Sequence, residues 1–314
     1  MIVSMFILGG EVNMAEEEKK ETEPWKDWEV RDFCNVFSSK DLMFKAIEEI
    51  DSRYKNKGYS GRDTIKTGIS WLELEKDDLI VLGARPCIGK TAFILSSISK
   101  LLQKKYSVGL IVPGLVDNTN IAFRLLAIDS GVPLAKIRSG MLKVKDVQKI
   151  QAAAGELFYA GFYLYNEPNI CFEDLKSTII SMAMEQHIQI LFIDDFEYIK
   201  EAAEADEKSL RTRLMYILSE LKRLAEELHI PIVITVNLPA TKKNEEPEIK
   251  DFMKTLIIPE KADKVFFLHR DRLMEAKYYQ DAKLILARSQ NGNIGDFALR
   301  FYPHISKFTN SDEE

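Results

Sequence analysis

The sequence predicts an α/β fold: a mostly parallel central sheet with helices on both faces and antiparallel strands added toward the C-terminus. Short, continuously apolar runs (Asp78–Leu82, Val108–Val112, Gln189–Ile193, Pro231–Val236) alternate with longer stretches of helical periodicity. Runs that are apolar at all, or all but one, of their positions suit strands covered on both faces, as a parallel sheet requires. After residue 263 the runs Lys264–Leu268, Lys283–Ala287 and Phe297–Phe301 follow one another closely, with Asn291-Gly292 as a turn. That spacing suits an antiparallel extension.

Residues 1–40 form an acidic tail, in which Glu16 to Glu23 alternate with Lys19 and Lys20 before Trp25 and Trp28. Mixed charge of this density predicts a solvated, mobile segment whose two tryptophans ask for a partner surface. Residues 41–60 make a linker: an amphipathic helix over Asp41–Tyr54, then the Gly-containing link Lys-Asn-Lys-Gly-Tyr-Ser-Gly. Its apolar face either packs on its own domain or docks on a neighbouring chain. From residue 61 to 310 the strand–helix alternation makes one domain of about 250 residues. Helices are expected over Lys90–Leu102, in the stretch ending at Ile128, over Phe172–Glu185 and over Ser209–Leu228, with a further strand at Phe162–Tyr165. Residues 311–314 are a short acidic tail.

Composition narrows the function. With 46% apolar and 29% charged residues, the 314-residue chain is of ordinary globular type. Its 43 Lys+Arg against 49 Asp+Glu give a formal charge of −6, so no global basic field holds it on nucleic acid. Three scattered cysteines (Cys34, Cys87, Cys171) and four scattered histidines form neither a disulfide framework nor a metal-ligand spacing. The apolar Met1–Gly10 stretch has no basic flank and is too short to span a bilayer, and Met14 offers an alternative start. The expectation is a cytoplasmic protein with no membrane contact.

The strongest local signal is Gly83-Ala84-Arg85-Pro86-Cys87-Ile88-Gly89-Lys90-Thr91, which follows a strand and opens a helix. That is the context of a phosphate-binding loop, although Ala84 stands where the pattern has its first glycine. Backbone N–H groups and the helix N-terminus would surround phosphate oxygens, Lys90 would add a full charge, and the Thr91 hydroxyl would ligate Mg²⁺. Ala84, Arg85, Pro86, Cys87, Ile88, Gly89, Lys90 and Thr91 are therefore the candidate ATP-binding residues. Asp194, at the end of the Leu191–Ile193 run, is the candidate second metal residue, and a helix cap or turn is its plainer alternative. In an extended chain Asp195 would point to the opposite face.

GARPCIGKTA, LFIDDFEYI, a helix followed by TGISWLE, and ARSQNG…G…LRF…KF together resemble the RecA-like motor domain of DnaB-type replicative DNA helicases over residues 41–310. In that family a separate helical domain comes first; here a short acidic tail stands in its place. The resemblance implies a RecA-like P-loop NTPase fold and a six-membered ring with ATP between subunits and single-stranded DNA in the channel. It also implies that the 41–54 helix docks on the next subunit, in self-association or in co-assembly with a replicative helicase. The helix followed by TGISWLE argues against more distant RecA-fold relatives such as a recombinase or a KaiC-like switch.

This chain departs from the family at the turnover positions. Gly114 falls where the family has the glutamate that polarises water, with Asp117 three residues on. Leu238 takes the place of a γ-phosphate-sensing glutamine, beside Asn237. Gln290 takes the arginine-finger position, and Arg288 stands where the family has a lysine. An arginine finger is worth about 10³–10⁵ in rate, and a positioned base about 10²–10⁴. The reading is a hydrolysis-impaired ATP-binding paralogue; the alternative is an active helicase. Arg288 acting in trans, two residues from Gln290 on one strand face, is one rescue, and Asp117 or Glu197 as base is another. Single-stranded DNA contact would rest on Lys242, Lys243 and Lys254, but Glu245, Glu246 and Glu248 offset the charge beside the first two.

Overall fold

The computed structural model describes residues 64–67, 72–114, 116–200, 207–240, 245–254, 259–270, 278–290 and 294–312, together with 43 and 47. The chain divides into two compact units, Met1–Asp63 and Thr64–Glu314. In the first, Met43 and Ile47 of the expected Asp41–Tyr54 helix are both helical; the rest of that helix, the tail and its tryptophans lie outside the described residues. No helix among the described residues is long and apolar enough to cross a membrane.

The second unit holds a nine-stranded sheet in the order β11-β10-β9-β8-β3-β7-β6-β4-β5. These strands are β3 (Leu79–Ala84), β4 (Val108–Val112), β5 (Phe162–Asn166), β6 (Ile190–Ile193), β7 (Ile232–Asn237), β8 (Lys264–Arg270), β9 (Gln280–Ser289), β10 (Gly295–Tyr302) and β11 (Lys307–Asn310). From β8 to β5 every neighbouring pair is parallel, and β9, β10 and β11 add on antiparallel. A separate antiparallel pair, β1 (Thr64–Lys66) and β2 (Glu73–Glu75), precedes the sheet. β3, β4 and β6 are buried at every position, as their unbroken apolar runs require.

Helices cover both faces. On one lie α1 (Lys90–Gln103) and α2 (Asn118–Ser130), packed on Ile80, Leu110 and Phe192. On the other, α5 (Phe172–Glu185) and α6 (Glu207–Leu228) pack on Val81, Ile111 and Ile234. Between α2 and β5 come two helices beyond those expected, α3 (Leu134–Ser139) and α4 (Val144–Phe158). α4 carries an apolar stripe (Val144, Val147, Ile150, Leu157), yet across both helices Ala153 is the only fully buried residue. β11 is a further element that the pattern leaves out. Phe308 on it meets Phe93 of α1 edge-on, and the Phe308 N–H donates to the Ser96 hydroxyl. The last strand thereby braces the helix that opens at Lys90.

Candidate functional site

The site lies at the carboxyl edge of β3, β7, β6 and β4. β3 ends at Ala84, and the chain turns through Arg85–Gly89 into α1. Two residues make that turn in left-handed backbone, Cys87 at φ 61° and Gly89 at φ 112°. Glycine suits the second because a Cβ there would meet the Phe308 ring at 3.2 Å. Gly89 is the N-cap of α1 but offers no side chain to its first N–H groups, and the first turn has no acidic residue. The positive end of a 14-residue helix therefore faces the loop unneutralised, which suits a phosphate.

The carboxylate of Asp194 comes to this turn. Thr91 Oγ1 donates to Asp194 Oδ2 at 2.6 Å, and Thr235 Oγ1 donates to Asp194 Oδ1 at 2.7 Å. Asp194 is 3% exposed, and its N–H donates to the Ile111 carbonyl of β4. Burial lifts its carboxyl above the ordinary carboxylate range, and the charge of Asp195 adds to the lift. A hydroxyl and a carboxylate side by side are hard oxygen donors of the kind Mg²⁺ takes.

Asp195 does not point away as strand alternation would have it. β6 ends at Ile193, and Asp195 takes left-handed backbone at φ 60°. Its N–H donates to Thr235 Oγ1, and its carboxylate comes back to lie 3.1 Å from Lys90 Nζ. Lys90 also donates to Asn237 Oδ1, and Asn237 Nδ2 donates to both Asp195 and Glu197. The polar group that meets the lysine at the end of β7 is thus Asn237, while Leu238 is buried, with its N–H on the Ala84 carbonyl. Burial lifts the Glu197 carboxyl as well. Glu197 Oε1 accepts from the Asn237 N–H at 2.9 Å, and its buried Oε2 has no hydrogen-bond partner among the described residues.

The loop is held in shape by two arginines whose parts the sequence did not disclose. Arg85 is buried and turned away from the helix end. It donates to the Pro239 carbonyl at 2.7 Å and the Glu245 carbonyl at 3.1 Å, and it pairs with Asp251 at 3.1 Å. Of Arg85, only the backbone is left for a phosphate. Arg270, on β8, donates to the Cys87 carbonyl at 2.9 Å and the Ile88 carbonyl at 3.1 Å, with its guanidinium 4.6 Å from the centre of the Phe301 ring.

Gly114 is buried, and the nearest atoms a Cβ on it would meet are those of the Tyr198 ring, at an ordinary 3.5 Å. Asp117 is exposed and caps α2, accepting from the Thr119 N–H at 3.0 Å. β9 ends at Ser289, so Gln290 does not share a strand face with Arg288 as expected. Instead Gln290 folds back and donates to Asp263 Oδ1 at 2.6 Å. Asp263 also pairs with Lys222 at 2.8 Å and accepts from the Leu79 N–H at 2.7 Å. Arg288 donates to the Glu260 carbonyl of its own chain. Lys242, Lys243 and the side chain of Lys254 lie outside the described residues.

The family model described as DnaB-like helicase C terminal domain matches residues 61–310. The replicative DNA helicase DnaB of Treponema pallidum (strain Nichols) is 32% identical over 274 residues, spanning 86% of this chain and 60% of that protein. The replicative DNA helicase DnaC of Bacillus subtilis (strain 168) is 26% identical over 282 residues, spanning 86% of this chain and 61% of that one. The chain thus covers about three fifths of the length of these curated relatives. Among solved structures, one titled as an ATPase domain aligns with a TM-score of 0.74 at 20% identity, over 88% of this chain and 100% of that one. A structure titled as a DnaB-like replicative helicase and its interactions with primase gives the same score and identity, over 88% of this chain and 68% of that one. The fold is that of a RecA-like ATPase domain.

Proposed function

The chain belongs to the DnaB-like helicase C-terminal domain family, and on that footing we propose that it is an ATP-binding, hydrolysis-impaired relative of the replicative helicases. It would act in DNA replication, in the cytoplasm, as a ring-forming, regulatory or adaptor subunit. The observation that supports this reading is a division within the site. Thr91, Asp194 and Lys90 are assembled, whereas Gly114 carries no carboxylate and Gln290 is engaged by Asp263 of its own chain. ATP would lie on the Ala84–Thr91 turn, with Thr91 and Asp194 as the Mg²⁺ donors. The metal would draw charge from the phosphates, and Lys90 would exchange Asp195 for them. The residue 41–54 helix would join one subunit to the next, in self-association or with an active replicative helicase.

The second reading, an active helicase moving on single-stranded DNA, is favoured by one feature. Asp195 and Glu197 gather beside Lys90 and Asn237, so carboxylates are present even though Gly114 lacks one. Steady-state ATP hydrolysis with and without single-stranded DNA, beside a direct ATP titration, separates the two. Tight binding with turnover at background is the expected result. DNA-stimulated turnover near one per second or faster would overturn it in favour of the active motor.

A further inference from the structure

α2 turns Ile121, Leu125 and Ile128 into the core, each 3% exposed or less. Arg124 stands in that same stripe: 121, 124, 125 and 128 follow the i, i+3, i+4, i+7 spacing of one helix face. It is half-buried, and among the described residues its guanidinium has neither a hydrogen bond nor an ion pair. A permanent charge in a core-facing position is costly unless an anion answers it.

The place it can reach is defined by its neighbours. α2 follows β4 after residues 113–117, and β4 is the strand whose Ile111 carbonyl takes the Asp194 N–H at 2.9 Å. The Asn166 amide fixes that connection by donating to the Val116 carbonyl and to Asn118. Helical side chains lean toward the helix N-terminus, so the long Arg124 side chain leans back toward the edge where Thr91 meets Asp194. Burial and the positive charge of Arg138 on α3 lower its pKa, while the carboxylate of Asp194 pulls the other way. The group is therefore within electrostatic reach of the candidate metal residue.

We propose that Arg124 is an anion ligand of the nucleotide site, supplied in cis, whose guanidinium takes the terminal phosphate of a nucleoside triphosphate seated on the Gly89–Thr91 turn. This rests on the reading of that turn as the nucleotide site. It gives the chain, from within, a positive charge of the kind that Gln290 does not bring from a neighbour. The inward stripe favours a nucleotide over a DNA strand. A nucleic-acid backbone on the outer surface would be met by exposed groups such as Arg138.

The test is titration of the full chain, with Lys90→Ala, Arg124→Ala and Arg124→Lys beside it, using Mg²⁺ with ATP and Mg²⁺ with ADP. Loss of a charge-assisted contact to the terminal phosphate weakens ATP binding about ten- to hundredfold in Arg124→Ala. ADP binding stays within about twofold of the parent, which also certifies the fold, and Arg124→Lys recovers part of the loss. Where Arg124→Ala does not fold, Arg124→Gln takes its place. Equal changes for ATP and ADP, or none, overturn the assignment while a Lys90→Ala defect leaves the nucleotide site standing. If Lys90→Ala binds both nucleotides as the parent does, the site itself is misread and this assignment falls with it. Lost affinity for single-stranded DNA with unchanged nucleotide affinity also overturns it, making Arg124 a backbone contact.

Discussion

The Thr91 hydroxyl donates to the Asp194 carboxylate across 2.6 Å, although 103 residues separate them in the chain. The first sits at the start of α1 and the second just past the end of β6. Only a parallel sheet that sets the ends of β3, β7, β6 and β4 side by side can make them neighbours. Ligands of open α/β sheets sit at that carboxyl edge for the same reason. The same juxtaposition brings Lys90 to Asn237 and Asp195.

If Lys90 holds phosphate, it is needed for nucleotide to stabilise the fold. ATP at a hundred times its dissociation constant adds about 2.7 kcal/mol to a one-site protein. In a domain of this size that raises the melting temperature by roughly 5–10 °C. Lys90→Ala is expected to erase the rise, followed by thermal melting with and without Mg²⁺ and ATP. A shift equal to that of the parent chain would refute the loop assignment.

Arg270 serves the loop without facing the ligand. Its two bonds to the Cys87 and Ile88 carbonyls come from the ends of a planar fork that lysine cannot reproduce. Arg270→Lys is therefore expected to cost about 2–3 kcal/mol, in the range of hydrogen bonds to charged groups, and to weaken ATP binding as well. Denaturant unfolding together with an ATP titration checks both. An unchanged affinity would show that the loop keeps its shape by itself.

Restoring one catalytic position alone should achieve little. Gln290→Arg is expected to change ATP turnover by less than about threefold while Gly114 remains, since a finger needs a positioned water to act upon. A Gly114 Cβ would meet the Tyr198 ring at an ordinary 3.5 Å, so the backbone there tolerates a side chain, and Gly114→Glu is the companion change. The two changes together are expected to raise turnover by about a hundredfold or more. A large gain from Gln290→Arg alone would show that another residue, Glu197 foremost, already serves as base.

Asp129, on α2, accepts a hydrogen bond from the Ser99 hydroxyl of α1. Burial raises its carboxyl pKa above the ordinary 3.8, so the folded chain holds this proton more tightly than the unfolded one. The group's contribution to stability is full below the ordinary value and is lost as pH rises through the raised one. Asp129→Asn keeps an acceptor for Ser99 and cannot ionise. Its melting temperature should gain on the parent's as pH is raised from about 4 to about 7. A difference that stays constant with pH would sink the idea.

Much of the sheet was legible because burial on both faces writes itself as unbroken apolar runs. Val108–Val112 and Phe172–Glu185 match their observed limits, and the other anticipated elements of the second unit differ at their ends, most in β9. α3 is too short to show a periodic face and buries none of its residues, whereas α4 does carry a stripe through Val144, Val147, Ile150 and Leu157 that was legible and not used. Within the site, Thr91 and Asp194 could be read because a hydroxyl after a lysine and an acid after an apolar strand are local signals. Asp195 was misdirected because the alternation rule holds only inside a strand, and β6 had already ended at Ile193. Arg85 and Arg270 were invisible for a different reason. Their partners at Pro239, Asp251 and Cys87 lie 154 to 183 residues away, and no spacing rule reaches so far.

The fork of Arg85 has a mechanical consequence. It grips the chain on both sides of residues 241–244, at Pro239 and at Glu245 and Asp251, while its own backbone is the second residue of the phosphate turn. A tug on the 239–251 segment is therefore a tug on the turn, transmitted through the Arg85 side chain. Whatever takes hold of that segment holds a lever, and the short arm of the lever rests on the turn that opens α1.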